Sequence, residues 1–270
     1  FSPNIRDRQD YSCAVFNADG ELCAQAAHIP VHLGSMAYAM ADIVRTMDWH
    51  GGDMVILNDP YRGGTHLPDI TLIMPVYIDA ILQGFVVNRA HHADIGGETP
   101  GSMPLSSCLQ EEGLIISPSH LIKRGEVDRQ KLDGIMAKMR SRAQAEGDFN
   151  AQIAANRLGQ TRLVELISQM GAAEYQDALQ ALNHYAEQLA LSSFSKIGDG
   201  EYHISDVLDD DGLGNENIVI KVCIKVASGR ICVDFSGTAK QVAGNVNCPL
   251  SVTAAAVFYV FRCLLPAHAP

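Results

Sequence analysis

Between Asn58 and Glu112 the chain gathers the side chains best equipped to do chemistry: His66, Asp69, His91, His92 and Asp94, with Asp59 and Glu112 at the margins. The spacing is H-x-x-D, then 21 intervening residues, then H-H-x-D. First-row metals such as Zn²⁺ and Mn²⁺ take neutral imidazole nitrogen and carboxylate oxygen, and two histidines with one carboxylate leave coordination positions open for water or substrate. On spacing alone the competing reading is a pair of loops whose polar residues only satisfy one another. Arg62, beside Thr65 and His66, is either a clamp for a carboxylate or carbonyl or a structural ion-pair partner. His28 and His32 flank Ile29-Pro30-Val31, where they either converge on the same cleft or orient a loop. His50, His120, His184, His203 and His268 are isolated and receive no role.

Those residues need elements to position them. Alternating runs at Tyr11–Phe16 and Leu22–Ala26, joined through Asn17-Ala18-Asp19-Gly20, predict a β-hairpin. Met36, Met40, Ile43, Val44 and Met47 recur at helical spacing, predicting a helix over 34–48 capped by Ser35. Strands are expected at 53–57, 70–78 and 83–89, the last two split by a turn near Asp79. If that pair forms, the His66–Asp69 loop and the His91–Asp94 loop come to one end of a sheet. Helices are expected over 128–142 and most of 150–195, with Ile153, Leu158, Leu163, Leu166, Ile167 and Met170 on one face. The period then alternates, predicting strands at 202–208, 218–226 and 230–235 before an apolar helix from Val252. The expectation is an α+β fold of largely antiparallel sheets, divided into 1–127, a helical segment near 128–197, and a second β-rich segment at 198–270.

Several function classes drop out. The formal net charge is −11 without a clustered basic face, which argues against nucleic acid. Neither G-x-G-x-x-G nor a phosphate loop is present, so nucleotide binding by this segment is unsupported. The run Val252–Leu265 is broken by Thr253 and Arg262 and is too short to span a bilayer. Seven scattered cysteines without C-x-x-C suggest reduced, mostly buried thiols in the cytoplasm, with a Cys13–Cys23 pairing as a minority alternative. Asp209-Asp210-Asp211-Gly212 lacks later calcium-ligand spacing and reads as a solvated turn. A first residue other than Met leads us to expect a piece of a longer chain.

Longer strings carry a resemblance. Phe1-Ser2-Pro3-Asn4-Ile5, Asp10-Tyr11-Ser12-Cys13-Ala14, Ala27-His28-Ile29-Pro30-Val31-His32, Asn58 through Asp69, Asn88 through Gly97, Ala151 through Asn156 and Val233 through Thr238 are similar, in order, to the hydantoinase B/oxoprolinase family. That resemblance implies a B-type subunit acting with a hydantoinase A-type partner, which uses the ATP, to open a cyclic amide such as hydantoin or 5-oxoproline. A subunit of an ATP-dependent ketone carboxylase, of the acetone or acetophenone type, is the enzyme alternative. A non-catalytic scaffold for the A-type partner is the other. The resemblance further implies a divalent metal, Mn or Zn, on His66, Asp69 and His91. His92, Asp94 and Glu112 would orient ligands or transfer protons, Asp59 and Arg62 would contact substrate, and the assembly would be oligomeric.

Overall fold

A computed structural model describes residues 1–266 apart from His28, Leu33 and Met103. The expectation for His28 therefore lies outside the described residues. The chain opens with a one-turn helix α1 (Pro3–Arg6) and the hairpin β1 (Tyr11–Asn17) and β2 (Leu22–Ala27). Helix α2 (Ser35–Thr46) and strands β3 (Met54–Leu57), β4 (Asp69–Ile78) and β5 (Ile81–His91) follow. The next elements are α3 (Leu109–Glu112), β6 (Ser119–Lys123), β7 (Glu126–Val127), α4 (Arg129–Met136), α5 (Arg142–Met170) and α6 (Ala172–Phe194). Strands β8 (Gly200–Asp210), β9 (Glu216–Ala227) and β10 (Arg230–Asp234) precede α7 (Leu250–Leu264). Every strand pairing is antiparallel, in a seven-stranded sheet ordered β2-β1-β5-β4-β3-β6-β7 and a three-stranded sheet ordered β10-β9-β8.

Alternation explains the large sheet. Strand β3 reads Met-Val-Ile-Leu and is buried at every position, because both of its faces are covered. Met54 and Ile56 join Ile70, Leu72, Met74 and Val86 against the α5 residues Phe149, Ile153, Leu163 and Ile167. Val55 and Leu57 join Ile73, Phe85, Val87, Ala14 and Phe16 against Met36, Met40 and Ile43 of α2. Odd-numbered residues of β4, and of β5 from Phe85 onward, thus face α2, and even-numbered ones face α5; beyond the bulge at Val76/Tyr77 the parity reverses on β5, where Leu82 packs on the α2 side.

The α5 side is fastened by a polar zip one helical turn long. Gln152 Nε2 donates to the Ile70 carbonyl and to Asn88 Oδ1, Asn156 Nδ2 donates to the Leu72 carbonyl, and Asn88 Nδ2 donates to Asn156 Oδ1. Gln152 and Asn156 share a helix face because residues four apart are neighbours there.

Several expectations need correction. Leu158 and Leu166 are 59% and 45% exposed, whereas Ile153, Leu163 and Ile167 are buried, so the apolar residues of α5 do not share one face. The helical stretch breaks at Ala137–Ser141 and at Gly171, whose φ of 91° ends α5. The N-cap of α2 is Gly34, with φ 78°, not Ser35. All seven cysteines are free and five are exposed, since positions such as Cys13 alternate outward between the buried Ser12 and Ala14. The acidic turn is solvated only in part: Asp209, Asp210 and Gly212 are exposed, but Asp211 is buried and accepts from the backbone amides of Leu213, Asn215 and Gly244 and from Asn215 Nδ2. The β6–β7 hairpin was not anticipated, because its strands are too short to show a period. Among the described residues no helix is long and apolar enough to cross a membrane.

Candidate metal centre

The centre is built by one hairpin. Strands β4 and β5 meet at Asp79-Ala80, both with positive φ (49° and 63°), the geometry of a two-residue turn matched to strand twist. Pairing then runs the length of both strands and ends with Asp69 directly opposite His91. Both residues are odd-numbered and therefore face α2, together with Thr71 and Arg89. His66 reaches the same place from the loop before β4, because Asp69 N donates to the His66 carbonyl at 3.0 Å and folds the loop back. Ligand atoms of His66, Asp69 and His91 all lie within 4.8 Å of one another.

The loop's shape is locally determined. Asn58 Nδ2 donates to the Leu67 and Leu114 carbonyls at 2.8 and 2.9 Å, and its Oδ1 accepts from Ile116 N at 2.6 Å. One side chain thereby joins the His66 loop to the segment after Glu112. Gly64 packs so closely that a Cβ there would lie 2.2 Å from the Asn58 carbonyl oxygen, a position only glycine can take. From the other side, Ser251 Oγ of α7 donates to the Gly64 carbonyl.

Asp69 is fully buried. Its Oδ2 accepts from Thr65 Oγ1 at 2.5 Å and lies 3.4 Å from Nε2 of the buried His32. His32 is itself oriented through Nδ1, 2.8 Å from Ser12 Oγ. Oδ1 is different: it lies 3.1 Å from His66 Nε2, yet makes no hydrogen bond. His91 is held through Nδ1 by Asn4 Nδ2 at 2.9 Å, which leaves its Nε2 available. Two ligand atoms each about 2.0–2.2 Å from one ion are separated by about 3.0–3.5 Å at octahedral-to-tetrahedral angles. The His66–Asp69 spacing and the orphaned buried Oδ1 therefore suit a cation held by one carboxylate oxygen and two imidazole nitrogens.

Burial and the neighbouring charges act on the three groups in different directions. Burial alone would raise the Asp69 carboxyl, but His32 and His66 hold it well below the usual carboxylate range. For His66, burial acts to lower the ring and is outweighed by Asp69 and Asp10, which raise it. Burial pushes His91 down, keeping the neutral form that binds metals. Beneath them lies Arg89, completely buried, with its guanidinium donating to Thr71 Oγ1 at 2.8 Å, Ser35 Oγ at 2.7 Å and the Gly63 carbonyl at 3.0 Å. Burial lowers Arg89 to about 10, partly countered by Asp69.

The remaining candidate residues sit in separate settings. Glu112 is half-buried, and burial raises its carboxyl while Ser106 and the charge of His66 act against that rise. His92, even-numbered, points to the other face, where its Nε2 is 2.8 Å from Gln152 Oε1 and its ring packs on Phe149. Asp94 accepts from Gly96 N and from the backbone and guanidinium of Arg140, which also donates to the Gly97 and Glu98 carbonyls. Asp59 accepts from Tyr61 N and Ser117 Oγ. Arg62 is exposed and makes no ion pair among the described residues. Sequence reasoning missed Asn4, Ser12, Asn58 and Arg89. Arg89 carried a signal, a lone charge in an otherwise apolar strand.

The sequence profile of the Hydantoinase B/oxoprolinase family matches residues 1–270, and the chain belongs to that family. It is 37% identical over 278 residues to an uncharacterized protein of Methanocaldococcus jannaschii, covering all of this chain and 48% of the relative. It is 35% identical over 286 residues to a 5-oxoprolinase of Dictyostelium discoideum, covering all of this chain and 22% of that enzyme. Among solved structures, an ATP-dependent caprolactamase from Pseudomonas jessenii superposes with a TM-score of 0.88 at 28% identity, over 92% of this chain and 43% of that one. An acetone carboxylase superposes at 0.85 with 19% identity, over 99% of this chain and 38% of that one, a likeness of fold alone. The chain thus spans half or less of the proteins it resembles.

Proposed function

We propose that this chain supplies the metal-binding part of an ATP-dependent hydrolase of cyclic amides, acting on a hydantoin- or 5-oxoproline-like ring beside an ATP-using hydantoinase A-type partner. The observation that carries the reading is Asp69 Oδ1: a buried carboxylate oxygen without a hydrogen bond, flanked by His66 and His91. The likeness to a 5-oxoprolinase and to a caprolactamase supports an amide substrate.

In this reading His66, Asp69 and His91 hold a divalent ion, Mn or Zn, and the ion when bound supplies Lewis-acid polarisation of the substrate oxygen. The chain's own groups do the rest. Thr65 and His32 hold Oδ2 and so aim Oδ1, while Asn4 aims His91, the kind of outer support that ligand geometry requires. Arg89 balances the buried negative charge and fastens the loop through Gly63. Glu112, raised by burial and electrostatically coupled to His66, is the proton-transfer group. His92, closed in between Gln152 and Phe149, and Asp94, engaged with Arg140, position the loop. Exposed Arg62 engages the substrate, and Asp59 shapes the turn that carries it.

The test uses the full-length subunit with its ATP-using partner. Elemental analysis should find near-stoichiometric Mn or Zn, and His66→Ala and His91→Ala should each remove it together with ATP-dependent ring opening. Intact ring opening in a metal-free His66→Ala complex would sink the reading.

A further inference from the structure

Strands β8, β9 and β10 place a second set of ligand-type side chains on one face of the small sheet. Glu201 is opposite Lys225 and His203 is opposite Cys223 across β8 and β9. Across β9 and β10, Cys223 is opposite Asp234 and Lys225 is opposite Cys232. Directly opposed residues share a face, as do residues two apart on one strand. Glu201 Oε1 is the hub: Cys223 Sγ lies 3.3 Å away, His203 Nε2 3.2 Å and Lys225 Nζ 3.4 Å. One ligand atom from each of Glu201, His203 and Cys223 lies within 4.8 Å of the others.

From this geometry we infer a second metal site, in which Cys223 Sγ, His203 Nε2 and Glu201 Oε1 take a zinc-like, borderline-soft divalent ion. The ligand chemistry selects the metal, because sulfur with imidazole and a carboxylate suits Zn²⁺, whereas Mg²⁺ and Ca²⁺ want oxygen alone. Three ligands come from two adjacent strands whose register holds them in place, and strands are rigid supports for a site. Lys225, on a flexible stem, gives up Glu201 to the ion. Asp234, directly opposite Cys223 on β10, is a further carboxylate on this face for a fourth position.

A disulfide is the competing use of this face. Cys223 and Cys232 are diagonal neighbours, and diagonal Cα atoms are about 7–8 Å apart, beyond the usual disulfide range of about 4.4–6.8 Å. The face therefore offers coordination rather than a cross-link. This site is independent of the metal proposed at His66, Asp69 and His91, which contains no sulfur.

That difference makes the two separable in one experiment. Co²⁺ is titrated into the reduced full-length chain and followed by absorbance, where only a thiolate ligand gives an intense near-ultraviolet charge-transfer band. The expected result is a saturable band that Zn²⁺ abolishes, that survives Cys232→Ser, and that is lost in Cys223→Ser and weakened in His203→Gln. A wild type without the band, or a band that persists in Cys223→Ser, overturns the proposal. Should Cys223→Ser fail to fold, His203→Gln and Glu201→Gln decide, since an unchanged titration in both also overturns it.

Discussion

Asp69 in the large sheet and Glu201 in the small one are both carboxylates surrounded by histidine and a basic residue, yet they live under opposite conditions. Asp69 is fully buried, its charge balanced by Arg89 and its oxygens aimed by Thr65 and His32. Glu201 stands in solvent on a strand exposed along its whole length, tied to Lys225, His203 and Cys223. A buried charge cluster stands or falls as a unit, because removing one member leaves the others desolvated and unpaired. An exposed one is screened by water and contributes little to stability. Architecture around Asp69 depends on its polar residues; around Glu201 it does not.

The sharpest way to break that comparison is Arg89→Met. It strips the buried carboxylate of its balancing charge and leaves the Gly63 carbonyl without its donor, so a loss on the order of 3–5 kcal/mol is expected. Urea denaturation of wild type and variant would show it as a lower midpoint, and an unchanged midpoint would mean the buried cluster is not the unit described. Next comes Ser251→Ala, which removes the donor to the buried Gly64 carbonyl from α7. A cost of about 1–3 kcal/mol is expected, with faster amide hydrogen exchange around His66 as the local signature.

A smaller effect concerns Asp211, whose carboxylate joins the small sheet's hairpin to Gly244. Its hydrogen bonds outweigh desolvation and hold it down from 3.8 to about 2. A depressed carboxylate contributes stability above its unfolded value and loses it as pH falls through the folded one. Asp211→Asn should therefore flatten the part of the stability profile lying between about pH 4 and about pH 2, and the two profiles should run parallel above it. The least effect is expected from Lys225→Ala, whose ion pair is exposed. Its melting temperature should match wild type, and a clear drop would mean the two sheets do not differ as argued.

Much of this was legible along the chain. The hairpin of β4 and β5 follows from two apolar runs and a tight turn, and with it the opposition of Asp69 and His91. The two-residue alternation even separates His91 from His92. Other parts were not legible. Nothing near His32, Ser12 or Asn4 announces which carboxylate or imidazole it will support, since each acts across tens of residues of sequence. The β6–β7 hairpin is too short to carry a period, and the acidic turn at Asp211 looks solvated until Gly244 donates to it.

What the sequence by itself determined is the set of parts: the antiparallel strands, the helices, the family, and a histidine–aspartate pattern of the ligand types that a divalent ion takes. Local periodicity and turn chemistry decide those, because they depend on neighbours only a few residues away. The tertiary structure alone decided which polar groups are buried together. Arg89 beneath Asp69, Gln152 against His92, and Cys223 beside Glu201 are matters of sheet register and helix placement, and desolvation acts on a charge only once the fold has chosen what surrounds it.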